Sequence, residues 1–168
     1  MKVLIVGSGG REHAIATAVA KSSRVDKIYC APGNAGIAGI AECVAIGAKE
    51  IDKIVEFAVE NKIDYAIVAP DDPLVLGAVD ALNEKGIPCF GPRANAAIIE
   101  GSKIFSKDLM KKYGIPTAQY EVFTEKDAAL KYLEDAPIPT VIKADGLALG
   151  KGVVIAMTRE EAIDAVKS

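Results

Sequence analysis

Short, near-continuous apolar runs alternate with helix-spaced segments over residues 1 to about 92, and this alternation limits the chain to few folds. Val3 to Val6, Lys27 to Ala31, Val44 to Ile46, Tyr65 to Ala69 and Pro88 to Phe90 read as strands. The stretches from about Arg11, from Ile51 to Asn61 and from Pro73 to Lys85 read as helices. In the second of these, Ile51, Ile54, Val55, Ala58 and Val59 recur at helical spacing and give one apolar stripe. A strand that is apolar at nearly every position has two faces to bury, which a parallel sheet covered by helices on both sides provides. The expected fold class is α/β, a doubly wound parallel sheet with its ligands at the carboxyl ends of the strands.

Half of the 168 residues are apolar, enough for a core of this kind. The formal charge of -3 shows no basic excess. That argues against nucleic acid as a partner, while local clusters remain open to small anions. Cys30, Cys43 and Cys89 are odd in number, form no CxxC pair and lie in or beside apolar runs. They read as reduced core residues of a cytoplasmic protein, not as metal ligands. The apolar run in "MKVLIVGSGG" is too short for a signal peptide, and no stretch approaches the ~20 apolar residues of a membrane span.

Beyond "GPRANAAIIEG" the pattern changes. Ser102 is placed to cap a helix running to Tyr113, which Gly114-Ile115-Pro116 stops. A strand from Tyr120 to Phe123, a helix capped by Thr124, a strand from Thr140 to Ala144 and another from Val153 to Met157 follow. A final helix opens at Thr158, with Glu161 completing a capping box. So few strands and an uncapped last helix predict an amino-terminal fragment of a longer protein.

Several strand ends carry residues suited to anions. "VGSGGREH" joins the first strand to the first helix, where Gly9 and Gly10 offer amides at a helix start and Arg11 a planar fork of donors. A dinucleotide fingerprint fails here: Glu12 stands where the third glycine belongs, and the second strand ends in Cys30-Ala31-Pro32 instead of an acid for the ribose. Glu12 favours the helix dipole but would repel a phosphate, so it is expected to turn aside. His13 reads as an ordinary helix residue. Asn34 in "APGNAG" is either a turn residue or a donor to a sugar hydroxyl. In "APDDPL", Asp72 before Pro73 reads as an N-cap, leaving Asp71 as either a second turn residue or a ligand for a cationic or hydroxyl group. Lys103 and Lys107 fall in the first turns of a helix, where the macrodipole disfavours cations. They are either solvated or, for Lys103, directed at an anion. "KADGLALGKG" is not a P-loop, because only three residues separate Gly146 from Gly150 and Gly152 follows Lys151. It is either a polar surface hairpin or a glycine cradle for phosphate flanked by ammonium groups.

In order, "GSGGREH", "APGNAG", "PDDPL", "FGP", "EGSK", "KDLMKKYGIPTA" and "IKADGLALGKGV" resemble the phosphoribosylamine-glycine ligase (glycinamide ribonucleotide synthetase) family of purine biosynthesis, within the ATP-grasp superfamily. The resemblance covers essentially the whole chain. It implies an amino-terminal doubly wound domain over residues 1–100, a connecting helix and the start of the ATP-grasp fold over 101–119, and part of its lid subdomain over 120–168. It also implies ATP contacts from Lys103, Lys143, Gly150, Lys151 and Gly152, with the last three forming the lid tip. Gly9, Gly10, Arg11 and Asn34 would hold the phosphoribosyl part of 5-phosphoribosylamine, and Asp71 would also bind substrate. Asp71 stands where the family usually has Glu, one methylene longer, and Leu149 where Ala is common. Catalysis would rest on positioning and charge neutralisation, with no acid-base dyad. The ligands for Mg²⁺ or Mn²⁺, and most of the adenine and glycine sites, would lie outside this chain, leaving it inactive alone. The rival readings are another ATP-grasp ligase of purine metabolism, a non-catalytic nucleotide-binding module, and a nicotinamide-dependent oxidoreductase motivated by Gly7-x-Gly9.

Overall fold

The computed structural model describes residues 1–146 and 152–168. The chain divides into two compact units, Met1–Gly101 and Ser102–Ser168.

The first unit is built on five parallel strands: β1 (Lys2–Gly7), β2 (Lys27–Pro32), β3 (Glu42–Cys43), β4 (Tyr65–Val68) and β5 (Cys89–Phe90), in the order 3-2-1-4-5. Successive side chains of a strand point to opposite faces. In β1, Leu4 and Val6 enter one core and Val3 and Ile5 the other, all four buried. Helix α2 (Ile51–Glu60) brings Ile54 and Ala58 to the first face, while α1 (Gly10–Val19) brings Ala16 to the second. Each large aliphatic side chain fully buried here contributes about 1.5–3 kcal/mol, so a central strand of this composition anchors both layers. The chain runs outward from β1 in both directions, through β2 to β3 and through β4 to β5. The reversal of strand order therefore falls between β1 and β4, the place where such sheets open a crevice at their carboxyl ends.

Three local readings change. The third strand is Glu42–Cys43, and Val44 to Ile46 follow it as irregular chain. The helix expected over Pro73 to Lys85 is two helices, α3 (Asp71–Val75) and α4 (Ala78–Glu84), separated at Gly77, whose φ of +85° no helix accommodates. Helix α5 (Ala94–Gly101), which strand-helix alternation does not announce, closes the unit. Its first amide, that of Ala94, donates to the Asp80 carboxylate at 2.8 Å.

In the second unit, α6 (Lys103–Lys112) and α7 (Lys126–Leu133) precede an antiparallel pair, β6 (Thr140–Lys143) and β7 (Val153–Ala156), and α8 (Arg159–Lys167) follows. A small core of Leu133, Ala136, Ala156 and Ala162 is flanked by Ile142, Ile163 and Val166. Ser102 caps α6 as its sequence position implies, accepting from the Phe105 amide at 3.1 Å. Thr158 accepts from the Glu161 amide, but the Glu161 carboxylate reaches the Met157 amide, one residue before the cap. The residue preceding α7 is Glu125, not Thr124. Tyr120 to Phe123 form no strand, since neither β6 nor β7 pairs with them. Side chains of α6 hold the preceding chain and Tyr120 instead: Lys107 donates to Thr117 Oγ1 (2.7 Å) and the Ala118 carbonyl (2.6 Å), and the Tyr120 hydroxyl donates to Asp108 (2.5 Å). That bond to a carboxylate pushes the Tyr120 phenol up to about 12. Among the described residues no helix is long and apolar enough to cross a membrane.

Candidate functional site

Three strand ends of the first unit meet at the reversal of strand order. The β1 loop begins with Gly7 at φ +127°, a conformation open to glycine; a Cβ there would stand 2.6 Å from Glu12 Cγ and 2.8 Å from Pro70 Cγ. The end of β1 therefore lies against both the first helix and the loop after β4. The Gly7 carbonyl accepts from the Gly33 amide at 3.1 Å, which joins the loop after β2 to the same place.

Glu12 governs what this loop can offer. It is 3% exposed, and its carboxylate lies under the turn, accepting from the Gly9 amide at 2.6 Å and from Arg11 Nε at 3.0 Å. This is the reciprocal half of a capping box, the only half a glycine N-cap permits. The acid thus turns away from the mouth of the loop. Of the two glycine amides singled out in the sequence, that of Gly9 is engaged inside the fold. Gly10, the first residue of α1, has no atom within 4 Å of where a Cβ would be, and the first-turn amides of Gly10 and Arg11 have no partner within the helix. Arg11 keeps 56% of its side chain exposed, so its outer donors remain available.

Asn34 is brought beside this loop but is committed to it. Its amide nitrogen donates to the Ser8 carbonyl at 2.8 Å, and its oxygen accepts from the Ile37 amide at 2.9 Å. It braces two loops against each other, which accounts for its position without any ligand. Asp71 is the first residue of α3, with Pro70 as the N-cap, so Asp72 is not the cap; it pairs with Lys49 at 3.1 Å. Asp71 is exposed and, among the described residues, its carboxylate has no partner. Cys30 and Cys89 are unsuited to nucleophilic work, since burial pushes each thiol up to about 11.

In the second unit the candidate residues gather at the base of the β6–β7 hairpin. Lys143 ends β6, exposed and opposite Val153. The ladder continues one step further through the Ala144 amide, which donates to the Gly152 carbonyl at 2.8 Å. Gly152 therefore belongs to the hairpin base and not to its tip. Gly150 and Lys151 lie outside the described residues. Lys103 is half-buried at the start of α6, and its ammonium donates to the Gly146 carbonyl at 2.5 Å. Sequence reasoning missed Asp145, whose carboxylate accepts from the Lys103 amide (2.6 Å), the Ile104 amide (3.2 Å) and the Ser102 hydroxyl (3.0 Å). Burial pushes that carboxyl up, but hydrogen bonds from Ile104, Ser102, Lys103 and Gly146 outweigh it and hold the group below the ordinary carboxylate value. The missing signal was pairwise: an acid next to glycine in one loop and an N-cap serine in a distant helix say nothing of each other. Among the described residues, no three His, Cys, Asp or Glu side chains cluster to hold a metal ion.

A parallel 3-2-1-4-5 domain followed by a unit that matches an ATP-grasp domain places the chain in the ATP-grasp class. The comparisons narrow it. The chain belongs to the phosphoribosylglycinamide synthetase family, whose N domain matches residues 1–100 and whose ATP-grasp (A) domain matches 101–168. It is 54% identical over 166 residues to the phosphoribosylamine-glycine ligase of Halalkalibacterium halodurans, covering 99% of this chain and 39% of that protein. The crystal structure of the Thermotoga maritima phosphoribosylamine-glycine ligase superposes with a TM-score of 0.76 at 35% identity, over 98% of this chain and 38% of that one. A Staphylococcus aureus N5-carboxyaminoimidazole synthetase solved with ADP shares the fold at a TM-score of 0.78 and 17% identity, over 99% of this chain and 45% of that one. The chain thus spans about two fifths of the length of the relatives it matches.

Proposed function

We propose that the complete protein carrying this chain joins glycine to 5-phosphoribosylamine, forming glycinamide ribonucleotide while ATP is cleaved to ADP and phosphate. The observation that carries this reading is the uninterrupted match of two successive domains of one ligase family along the whole chain. The glycine carboxylate attacks the terminal phosphorus of ATP and releases ADP; the ribosylamine nitrogen then attacks the resulting acyl phosphate and releases inorganic phosphate. The residues of this chain contribute grip and charge. Gly10 and Arg11 present free donors at a helix start to the sugar phosphate, with Gly9 shaping the turn and Asn34 bracing it. Asp71 offers its unpartnered carboxylate to the ribosyl hydroxyls or amine. Lys103, Lys143, Gly150, Lys151 and Gly152 serve the triphosphate. A divalent cation, Mg²⁺ or Mn²⁺, would neutralise phosphate charge when bound; among the described residues no three His, Cys, Asp or Glu side chains cluster to hold it.

The test is ADP release by the purified complete protein, measured with glycine and freshly generated phosphoribosylamine, each omitted in turn. Release that depends on both substrates is expected, and none from residues 1–168 alone. Release by the complete protein that ignores glycine would remove the reading.

A further inference from the structure

Lys103 occupies the first turn of α6, where a cation works against the helix dipole. The structure shows what offsets that cost. The Asp145 carboxylate takes the Lys103 and Ile104 amides and the Ser102 hydroxyl, filling the anion-attracting end of the helix from within the chain. One residue on, the Gly146 carbonyl takes the Lys103 ammonium. The two contacts run in opposite senses, acid to helix backbone and lysine to loop backbone, and together they lock residues 102–104 to residues 145–146. Lys143 stands two residues before Asp145, at the end of the ladder that Ala144 and Gly152 close. Gly146 then leaves this lock at φ +94°, with open space where a Cβ would be.

We infer that Asp145 is a positioning residue for nucleotide binding: by clamping the start of α6 to the end of β6 it fixes where the Lys103 and Lys143 ammonium groups stand relative to each other. This rests on the ligase reading for the identity of the nucleotide. Two lysines on separate elements grip one polyphosphate well only if their spacing is set before it arrives, since ordering them on binding costs affinity. A second consequence is that the start of α6, for all its dipole, is not itself a phosphate site, because Asp145 already satisfies it.

The experiment uses the complete protein and three forms: wild type, Asp145→Ala, and Asp145→Ala combined with Ser102→Asp. Alanine removes the oxygen on which the Lys103 and Ile104 amides both converge, which asparagine would keep. The last form returns a carboxylate to the cap of α6, and with it helix stability, without restoring the tie to the hairpin. ATP affinity is read by calorimetry, KM is read separately for ATP and for glycine, and amide exchange is followed at residues 103–104. Asp145→Ala is expected to weaken ATP about tenfold, to raise KM for ATP but not for glycine, and to speed exchange at 103–104. In the double variant thermal stability returns while the ATP defect persists. Unchanged ATP affinity in Asp145→Ala, or its recovery in the double variant, overturns the inference and reduces Asp145 to a helix cap. A wild-type protein that takes up no ATP would instead sink the ligase reading. The exchange measurement needs no nucleotide, and unaltered exchange in Asp145→Ala would by itself refute the clamp.

Discussion

Glu12 shows how a residue that looks wrong for a phosphate loop is made compatible with one. A buried carboxylate is costly unless it is paired and hydrogen-bonded; here the Gly9 amide and Arg11 Nε do both. The side chain fits under the turn because Gly7 leaves room for it. Gly7→Ala should therefore destabilise the fold twice over, through a backbone conformation closed to alanine and through a methyl 2.6 Å from Glu12 Cγ. We expect a loss of about 1–3 kcal/mol or more, read as a lower urea midpoint with unchanged m-value; an unaltered midpoint would show that the loop relaxes freely. The sequence made part of this legible. Glu12 in place of a third glycine, together with a second strand ending in Cys30-Ala31-Pro32 instead of an acid, speaks against a dinucleotide fingerprint, and Glu12 itself is required to turn aside. Its burial, and its use of Gly9's amide, were not legible, because both depend on where Pro70 and the β1 loop meet in space. For Asn34 local chemistry left two readings, and the bonds to Ser8 and Ile37 supply the bracing role.

At the scale of elements, the strands that reach both cores could be read from composition alone, since an unbroken apolar run has no exposed face to offer. Elements set by long-range partners could not. Tyr120 to Phe123 has the residues of a strand, but a strand exists only through pairing, and Lys107 and Asp108 hold the preceding chain and Tyr120 against α6. Gly77 breaks a helix whose apolar spacing runs through it. Helix α5 begins without a local cap, because its cap is Asp80, fourteen residues earlier on α4. Asp80→Ala should fray the first turn of α5 and cost about 1 kcal/mol, the usual value of a lost N-cap. Arg93, with its Nε 3.9 Å from the same carboxylate, is too exposed to add much. Exchange of the Ala94 amide should quicken in the variant while amides of α2 keep their protection. Equal quickening in both helices would mean that Asp80 supports the whole unit and not one helix end.

Over the whole chain, the two units differ in what holds them. The first buries two extended cores on either face of a five-stranded sheet. Among the described residues, the second rests on a core of four buried side chains, Leu133 and three alanines, and a two-stranded sheet, an arrangement marginal by itself in water. Its strands leave Val141, Val153, Val154 and Ile155 between 41% and 67% exposed, so much of their apolar surface contributes nothing to stability within this unit. Residues 1–168 should therefore unfold in two steps in urea, with 102–168 lost first and 1–101 persisting to higher denaturant. Pulsed hydrogen exchange resolved by mass spectrometry would separate the steps, with β7 and α8 peptides exchanging at concentrations where β1 and β4 peptides remain protected. The chain spans 39% of the Halalkalibacterium halodurans relative; in a protein of that relative's length residues 102–168 would have further chain to pack against, and there the first step should move to higher urea. A single cooperative transition in the 168-residue chain would show that the second unit draws its stability from the first, against what its own core supplies.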